Sequence, residues 1–457
     1  MSSASGATFQ ACRARVHREY AAAAPGTPVR LAKGTSNLFR SRRRSSVTRL
    51  DVRGLDAVLH VDTKARTADV GGMTTYEHLV DATLAHDLMP LVVPQLKTIT
   101  VGGAVSGLGI ESSSFRSGLP HESILELEIL TGDGRLVIAR RDNEHGQLFR
   151  GFPNSYGTLG YALRLTLELE PVRPFVRLRH VPFSDAAECF TAMERATAAR
   201  AFAGEPVDFV DGTVFGPDES YLTLGTFSDD PAGTSDYTGM DVYYRSIQRL
   251  RDDRLSVRDY LWRWDTDWFW CSRAFGVQDP RLRRVVPKRW LRSDHYWRLV
   301  AFERRHGPLR RLYRLTGKGE WEDVVQDVEV PISRAAEFLR FLLREVPILP
   351  IWLCPLRLRG PDSHWDLYPL EPGTTYVNFG IWSGVRRAAG RPEGDVNRRI
   401  EQVVSELGGH KSLYSTSYYG REEFWRLYNG PAYAQLKDAY DPQRRLLDLY
   451  EKCVQHG

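Results

Sequence analysis

No stretch of this chain approaches about 18 consecutive apolar residues, which excludes a transmembrane helix of ordinary length. A secretory leader is not expected either, since AAAA at 21–24 is short, weakly hydrophobic and followed by Pro25-Gly26. Cysteine is scarce. The five residues Cys12, Cys189, Cys271, Cys354 and Cys453 are scattered, odd in number and never spaced as CxxC. That argues against a disulfide framework or a zinc site and for reduced thiols in a cytoplasmic setting. His60, His78, His86 and His121 are not paired at ligand spacing, so no metal is expected. Charge of one sign is nearly absent in excess: 62 basic against 57 acidic residues leave +5, which is no nucleic-acid signature. Tryptophan is missing from the first 261 residues, and all eleven follow, six of them between 262 and 297. Two compositions in one chain of 457 residues indicate at least two domains.

What is present begins with glycine. In Thr100–Ser112, TVGGAVSGLGIES, the residues Gly102, Gly103, Gly107 and Gly109 fall within ten positions, where average usage puts about one. Glycine lets a backbone approach a bulky anion and aim several N–H groups at it. Glycines also make ordinary turns, so the neighbours matter. Upstream lies Lys33-Gly34-Thr35-Ser36-Asn37, and downstream Gly157-Thr158-Leu159-Gly160 precedes the alternating run YALRLTLELE. Small polar loops set among strands suit a dinucleotide whose diphosphate lies along the backbone. The candidate cofactor-binding residues are Lys33, Gly34, Thr35, Ser36, Asn37, Thr100, Val101, Gly102, Gly103, Gly107, Gly109, Ile110, Glu111, Ser112, Gly157, Thr158 and Gly160.

Patterning predicts a helical lead-in over FQACRARVHREYAAAA, then short strands in VRLA, LDVRGLDAVLHVD and ARTADVGG. A helix is expected over Thr75–His86, capped by Thr74 or Thr75, with Tyr76, Leu79, Val80 and Leu84 on one face. Strands at 124–130 and 135–139 flank the hairpin signal Thr131-Gly132-Asp133-Gly134, and Arg164–Glu170 alternates as a half-buried strand. With Pro171 and Pro174 closing this unit, the expected division is 1–173 for cofactor binding, 174–405 for a cap over the substrate, and 406–457 returning to the first domain.

These residues resemble the flavoproteins of the vanillyl-alcohol-oxidase type. The resemblance implies an α+β fold: a two-subdomain PCMH-type FAD-binding domain plus an α+β substrate/cap domain. Lys33–Leu38 matches the family's diphosphate loop and Thr100–Ser112 its second glycine-rich segment. GIESSS, Gly157-Thr158-Leu159-Gly160, Val324-Val325-Gln326-Asp327, Pro350–Pro355 and Arg421–Trp425 are similar to the Δ24-sterol reductase branch. PGTPVRLAKGTSNLFR and PLVVPQLKTITVGGAVSGLGIESSSFRSGLPHES look most like bacterial FAD-dependent enzymes that saturate 10-methylene fatty acyl chains. Family members that tether FAD covalently often use a histidine beside the diphosphate loop. None stands there in this chain, so non-covalent FAD is expected; His121 is the alternative tether, read first as a surface or cap histidine. Polyol oxidases of the family carry a Glu and Arg pair on a strand that here reads Ile351-Trp352-Leu353-Cys354-Pro355, apolar and without the pair. That suits a hydrocarbon substrate.

The resemblance implies an FAD-dependent oxidoreductase that reduces an isolated C=C of a long-chain lipid with NADPH, preferably a 10-methylene fatty acyl chain. The rivals are a Δ24-sterol-type alkene, an alditol-type oxidase, and a non-enzymatic flavin protein supporting a methyltransferase partner. For catalysis the candidates are Tyr418, Arg421 and Glu422, where the family's chain returns to the flavin, with Arg421 stabilising reduced flavin and Glu422 supplying a proton. Arg421, Glu422 and Glu423 read equally as the exposed first turn of a helix with Phe424 and Trp425 packed inward. On VVQDVEVPI, Gln326 is the residue expected to face substrate or flavin. Glu111 and Arg116, like Gln95 and Lys97, fit flavin contacts or local ion pairs. Trp262, Trp264, Trp268 and Trp270, followed by Arg281, Arg283, Arg284, Lys288 and Arg289, read either as a membrane-interface segment or as cap core. A phospholipid-bound acyl substrate would call for peripheral contact at the inner membrane face.

Overall fold

In Gly160–Pro171 the leucines 163, 165, 167 and 169 are buried while Arg164, Thr166, Glu168 and Glu170 are half-buried. Period-two burial of this kind makes a strand with one face on a core. The computed structural model, which describes residues 3–24, 26–34, 39–40, 47–231, 233–306, 320–387 and 390–454, builds its first sheet around it. The strands of the first domain are β1 (Val29–Leu31), β2 (Thr48–Leu50), β3 (Val58–Asp62), β4 (Thr67–Gly71), β5 (Leu88–Pro90), β6 (Ile124–Thr131), β7 (Leu136–Ala139) and β8 (Gly160–Pro171). Their antiparallel order is β3-β4-β8-β6-β7, with β5 joining the far end of β8. A smaller lobe holds the parallel pair β1-β2, covered by the helix Ser3–Ala22 through Phe9, Cys12, Val16 and Tyr20. The expected helix is Tyr76–Leu84. Its N-cap is Thr75, whose hydroxyl accepts the His78 N–H at 3.2 Å.

The chain crosses to a second sheet between Pro171 and Phe175. Its strands are β9 (Phe175–Phe183), a short ribbon of β10 (Ala201–Phe202) and β11 (Glu205–Pro206), then β12 (Phe209–Gly216), β13 (Glu219–Ser228), β14 (Asp252–Ser256), β15 (Glu320–Pro331), β16 (Ile351–Leu356), β17 (Tyr376–Arg387) and β18 (His410–Lys411). Eight of them run β14-β9-β13-β12-β16-β17-β15-β18. The helices Ala186–Ala199, Ile332–Glu345 and Asp395–Glu406 cover one face through an apolar core that includes Val324, Val328, Leu353 and Phe379. The opposite face, carrying Trp352, Cys354 and Tyr376, joins the core of the first domain. The final helices return to that domain, where the Lys437 ammonium donates to the Thr158 carbonyl at 2.7 Å. The architecture is α+β, and among the described residues no helix is long and apolar enough to cross a membrane.

The tryptophan-rich stretch is core. Trp262, Trp264, Trp268 and Trp270 are each 5% exposed or less. The charges between them are satisfied inside: Arg263 pairs with Glu111 and Asp211, and Asp267 with Arg283. Asp265 accepts from the Ser293 hydroxyl. Interleaved tryptophans and charges therefore form an internal hub between the domains, which removes these four indoles from any membrane face.

Candidate cofactor and substrate cavity

Two glycines let the chain fold back on itself where the cavity begins. The Gly102 N–H donates to the Gly72 carbonyl at 3.1 Å, and a Cβ on Gly102 would stand 2.6 Å from that oxygen. A Cβ on Gly72 would lie 1.9 Å from the Ala162 carbonyl. The segment 94–110 thus lies flat against β4 and β8, and Thr100 caps the short helix Val101–Ser106 by accepting the Gly103 N–H at 3.2 Å. Between this segment and the second sheet opens a cavity of about 1290 Å³.

Its lining is rich in base. Arg30, Lys33, Arg40, Arg49, Arg298 and Lys452 line the cavity against only three acids, Asp294, Asp327 and Glu451. Arg40 lies over the Tyr156 ring at 4.5 Å, and Lys452 donates to the Tyr156 carbonyl at 2.6 Å. Burial and the neighbouring Arg40 charge push the Lys452 ammonium down to about 7. Positive charge held this closely invites an anion, which would restore the full charge of the lysine. The Gln95 side chain lines the same cavity, and its buried Nε2 has no hydrogen-bond partner among the described residues. A cavity of this volume, walled by glycine backbone and rich in basic side chains, fits a dinucleotide.

Part of the wall is aromatic. Phe269 packs on Trp382 at 4.1 Å and on Trp352 at 5.5 Å, and the Trp382 indole donates to the Tyr414 hydroxyl at 2.8 Å. One carboxyl stands among them. Across the sheet Asp327 pairs with Gly380, and Gly380 with Trp352. A Cβ on Gly380 would meet the Trp382 ring at 2.6 Å and the Asp327 carboxylate at 3.0 Å, so the bare glycine makes room for both. Burial raises the Asp327 carboxyl to about 7 against the pull of Asn378, which donates to it at 3.4 Å, and of Tyr414. Two residues along the same face, Glu329 bonds the Tyr368 hydroxyl and is raised to about 8, mainly by burial.

Of the residues predicted for cofactor binding, Lys33, Gly34, Thr100, Gly102, Gly103, Gly107, Gly109, Ile110, Gly157 and Gly160 line this cavity. Thr35, Ser36 and Asn37 lie outside the described residues. Val101 points into the core, and the Thr158 hydroxyl is spent on the Ser155 carbonyl at 2.7 Å. Glu111 and Ser112 are turned away: Ser112 bonds Glu111 and Tyr260, and Glu111 meets Arg263 at 3.1 Å. Arg116 is likewise an ion pair, with Glu170 at 2.7 Å, and Lys97 pairs with Glu77 at 3.8 Å.

The predicted catalytic trio is not at the cavity. Arg421 and Glu422 are exposed in the first turn of the helix Arg421–Leu427, with Arg421 over the Tyr450 ring at 4.6 Å. Tyr418 packs under Arg398 at 5.1 Å. Strand parity corrects Gln326: it shares the face of Val324 and Val328, against the helices, and bonds Asn397 and Lys411 at 2.7 Å each. Asp327, one residue on, takes the cavity face. The signal was legible, because three valines at alternate positions fix which face of β15 is core. His121 is buried, not at the surface. It stacks edge-on against Trp365 at 4.5 Å, and burial pushes its imidazole down to about 3.

Comparison with known proteins agrees with this geometry. A family model described as FAD binding domain matches residues 16–140. The chain is an FAD-dependent oxidoreductase. It is similar to the Delta(24)-sterol reductase of Arabidopsis thaliana, 26% identical over 437 residues, covering 86% of this chain and 74% of the relative. The human Delta(24)-sterol reductase is 27% identical over 411 residues, covering 86% and 75%. Cytokinin dehydrogenase 6 of Oryza sativa subsp. japonica is 25% identical over 391 residues, covering 82% and 71%.

Proposed function

We propose that this protein reduces an isolated carbon–carbon double bond in an apolar lipid, with NADPH as the source of electrons. The observation that carries the reading is the aromatic wall of the cavity with the buried carboxyl of Asp327, raised to about 7, set in it. An unactivated alkene offers no carbonyl to polarise, so a site for it needs apolar walls and one proton donor rather than a set of polar contacts.

Gly34, the segment Thr100–Ile110, Gln95, Arg40 and Lys452 would hold FAD without a covalent bond. Bound FAD supplies hydride transfer to one alkene carbon. The protein does the rest. Phe269, Trp352 and Trp382 exclude water and orient the chain of the lipid. Asp327 holds a proton near neutral pH and delivers it to the second alkene carbon, with Asn378 and Tyr414 steadying the carboxylate that remains. Solvent reprotonates Asp327 between turnovers. The strand on which a polyol oxidase is expected to carry its Glu and Arg pair, β16, is buried and apolar here.

Sterol reductases among the similar proteins favour a sterol-type alkene over the 10-methylene acyl chain. The acyl reading rests on the two segments at 25–40 and 90–123 and would add a phospholipid-bound substrate, a methyltransferase partner and a cytoplasmic location. The deciding experiment mixes FAD-loaded protein, NADPH and detergent-dispersed lipid without oxygen, offering a Δ24 sterol and a 10-methylene acyl lipid in parallel. A product heavier by two hydrogens identifies the substrate. NADPH-reduced flavin that neither alkene reoxidises would overturn the reading. Colour that remains with acid-precipitated protein would overturn non-covalent binding.

A further inference from the structure

We infer that the face running from Arg281 to Phe302 docks this enzyme on an anionic lipid bilayer, beside the cavity that its helix Ser293–His306 lines. Among the described residues ten large hydrophobic side chains are exposed, and five of them, Leu282, Val285, Trp290, Leu299 and Phe302, fall in this one stretch. Val285 is 73% exposed and Trp290 54%. Two more, Met240 and Leu250, line a shallow depression with Arg283, Arg284 and Lys288 and with the acids Asp236 and Asp241, Asp236 being paired with Lys288 at 3.4 Å. Clustering of this kind marks a docking site, where single exposed apolar residues would need no explanation.

The charge of the face selects its partner. Asp294 is the only acid between Pro280 and Phe302, and it is engaged by Arg292 at 3.1 Å. Arg281, Arg284 and Arg289 are exposed and form no ion pair with any described acid. An indole, aliphatic side chains and arginines on one surface match the boundary between anionic headgroups and acyl chains. Position adds a function. The helix Ser293–His306 carries Leu299 and Phe302 outward, while its Asp294, Trp297, Arg298 and Ala301 line the cavity. A lipid leaving the bilayer at this face would enter the cavity along that helix. The inference goes beyond the choice of alkene: it concerns how an apolar substrate arrives.

The test is co-sedimentation of the FAD-loaded full chain with sucrose-filled vesicles of phosphatidylcholine, with and without phosphatidylglycerol. Binding is expected to the anionic vesicles, to fall in high salt, and to be weak on phosphatidylcholine alone. Combining Arg281→Gln, Arg284→Gln and Arg289→Gln is expected to lower partitioning roughly a hundredfold. Combining Val285→Ser and Trp290→Ser should weaken it as well, whereas Leu125→Ser, an exposed residue of the first domain, should not. Unchanged FAD content and melting temperature certify that each variant is folded. Wild-type protein left in the supernatant, or arginine variants that sediment like wild type, would overturn the inference. So would a dimer in sedimentation velocity that the Trp290 variant dissociates, which would assign the face to a second copy. Substrate turnover is assayed in detergent, so failure here leaves the alkene reading intact.

Discussion

Asp327 and Gln326 are adjacent in the chain and meet opposite environments, because successive side chains of a strand point to opposite faces. Gln326 ends in a polar knot with Asn397 and Lys411, whereas Asp327 faces an aromatic wall with Asn378 and Tyr414 as its partners. Asp327→Asn keeps the shape and removes the proton. Turnover is expected to drop by roughly a hundredfold to ten-thousandfold, with FAD content unchanged. The wild-type rate should decline as pH rises through about 7, where the acid form is lost, and the variant should lack that limb. Pre-steady-state alkene reduction measured across pH checks both. Arg421→Ala is a contrasting case. With its side chain exposed on Tyr450 and outside the cavity lining, turnover should stay within about twofold of wild type. A large loss of rate would return Arg421 to the mechanism.

Among the elements, the loop after the glycine-rich helix is held by charge rather than by cofactor. Arg263 is fully buried between Glu111 at 3.1 Å and Asp211 at 2.7 Å, and lies over the Tyr260 ring at 4.0 Å. It ties the first domain (Glu111), the second sheet (Asp211 on β12) and the tryptophan hub at one point. Arg263→Met leaves two buried carboxylates without their cation, a loss on the order of 3–5 kcal/mol. Chemical denaturation is expected to show that loss. A midpoint equal to that of wild type would show that the three elements are held by packing alone.

For the whole molecule, a buried carboxyl with a raised pKa makes stability depend on pH. Asp327 keeps its proton in the folded state up to about 7, whereas the unfolded chain gives it up at the ordinary carboxylate value. Unfolding then releases a proton in that window, so stability falls as pH climbs from about 4 to about 7 and levels above it. Asp327→Asn should match wild-type apo-protein at the acid end and exceed it above about pH 7. Melting curves of the two at matched pH check the sign, and a constant offset would contradict it. Lys452 works in the opposite sense, losing its proton at about 7 in the fold, so its contribution to stability grows as pH rises above that point.

Local chemistry was readable wherever a residue answers to its own neighbours. Thr75 caps a helix because its hydroxyl reaches an N–H three residues on. β8 alternates because a sheet has two faces. The glycines from 102 to 109 cluster because backbone must pass close to backbone at Gly72 and close to the cavity beyond it. From such signals the chain by itself determined a glycine-rich cofactor segment set among strands and a separate tryptophan-rich half, and the family resemblance added the α+β fold. At the second sheet the valines of β15 already marked which face is core, but what stands opposite Asp327 was decided only by tertiary structure. Whether an acid on a strand is a proton donor depends on which face that strand turns to the core and on what the partner strand places opposite it. Gly380, fifty-three positions from Asp327 in the sequence, leaves the space in which that carboxyl stands. The same holds for the tryptophans. Their composition permitted either membrane or core, and only the long-range ion pairs of Arg263 and Asp267 drew them inside.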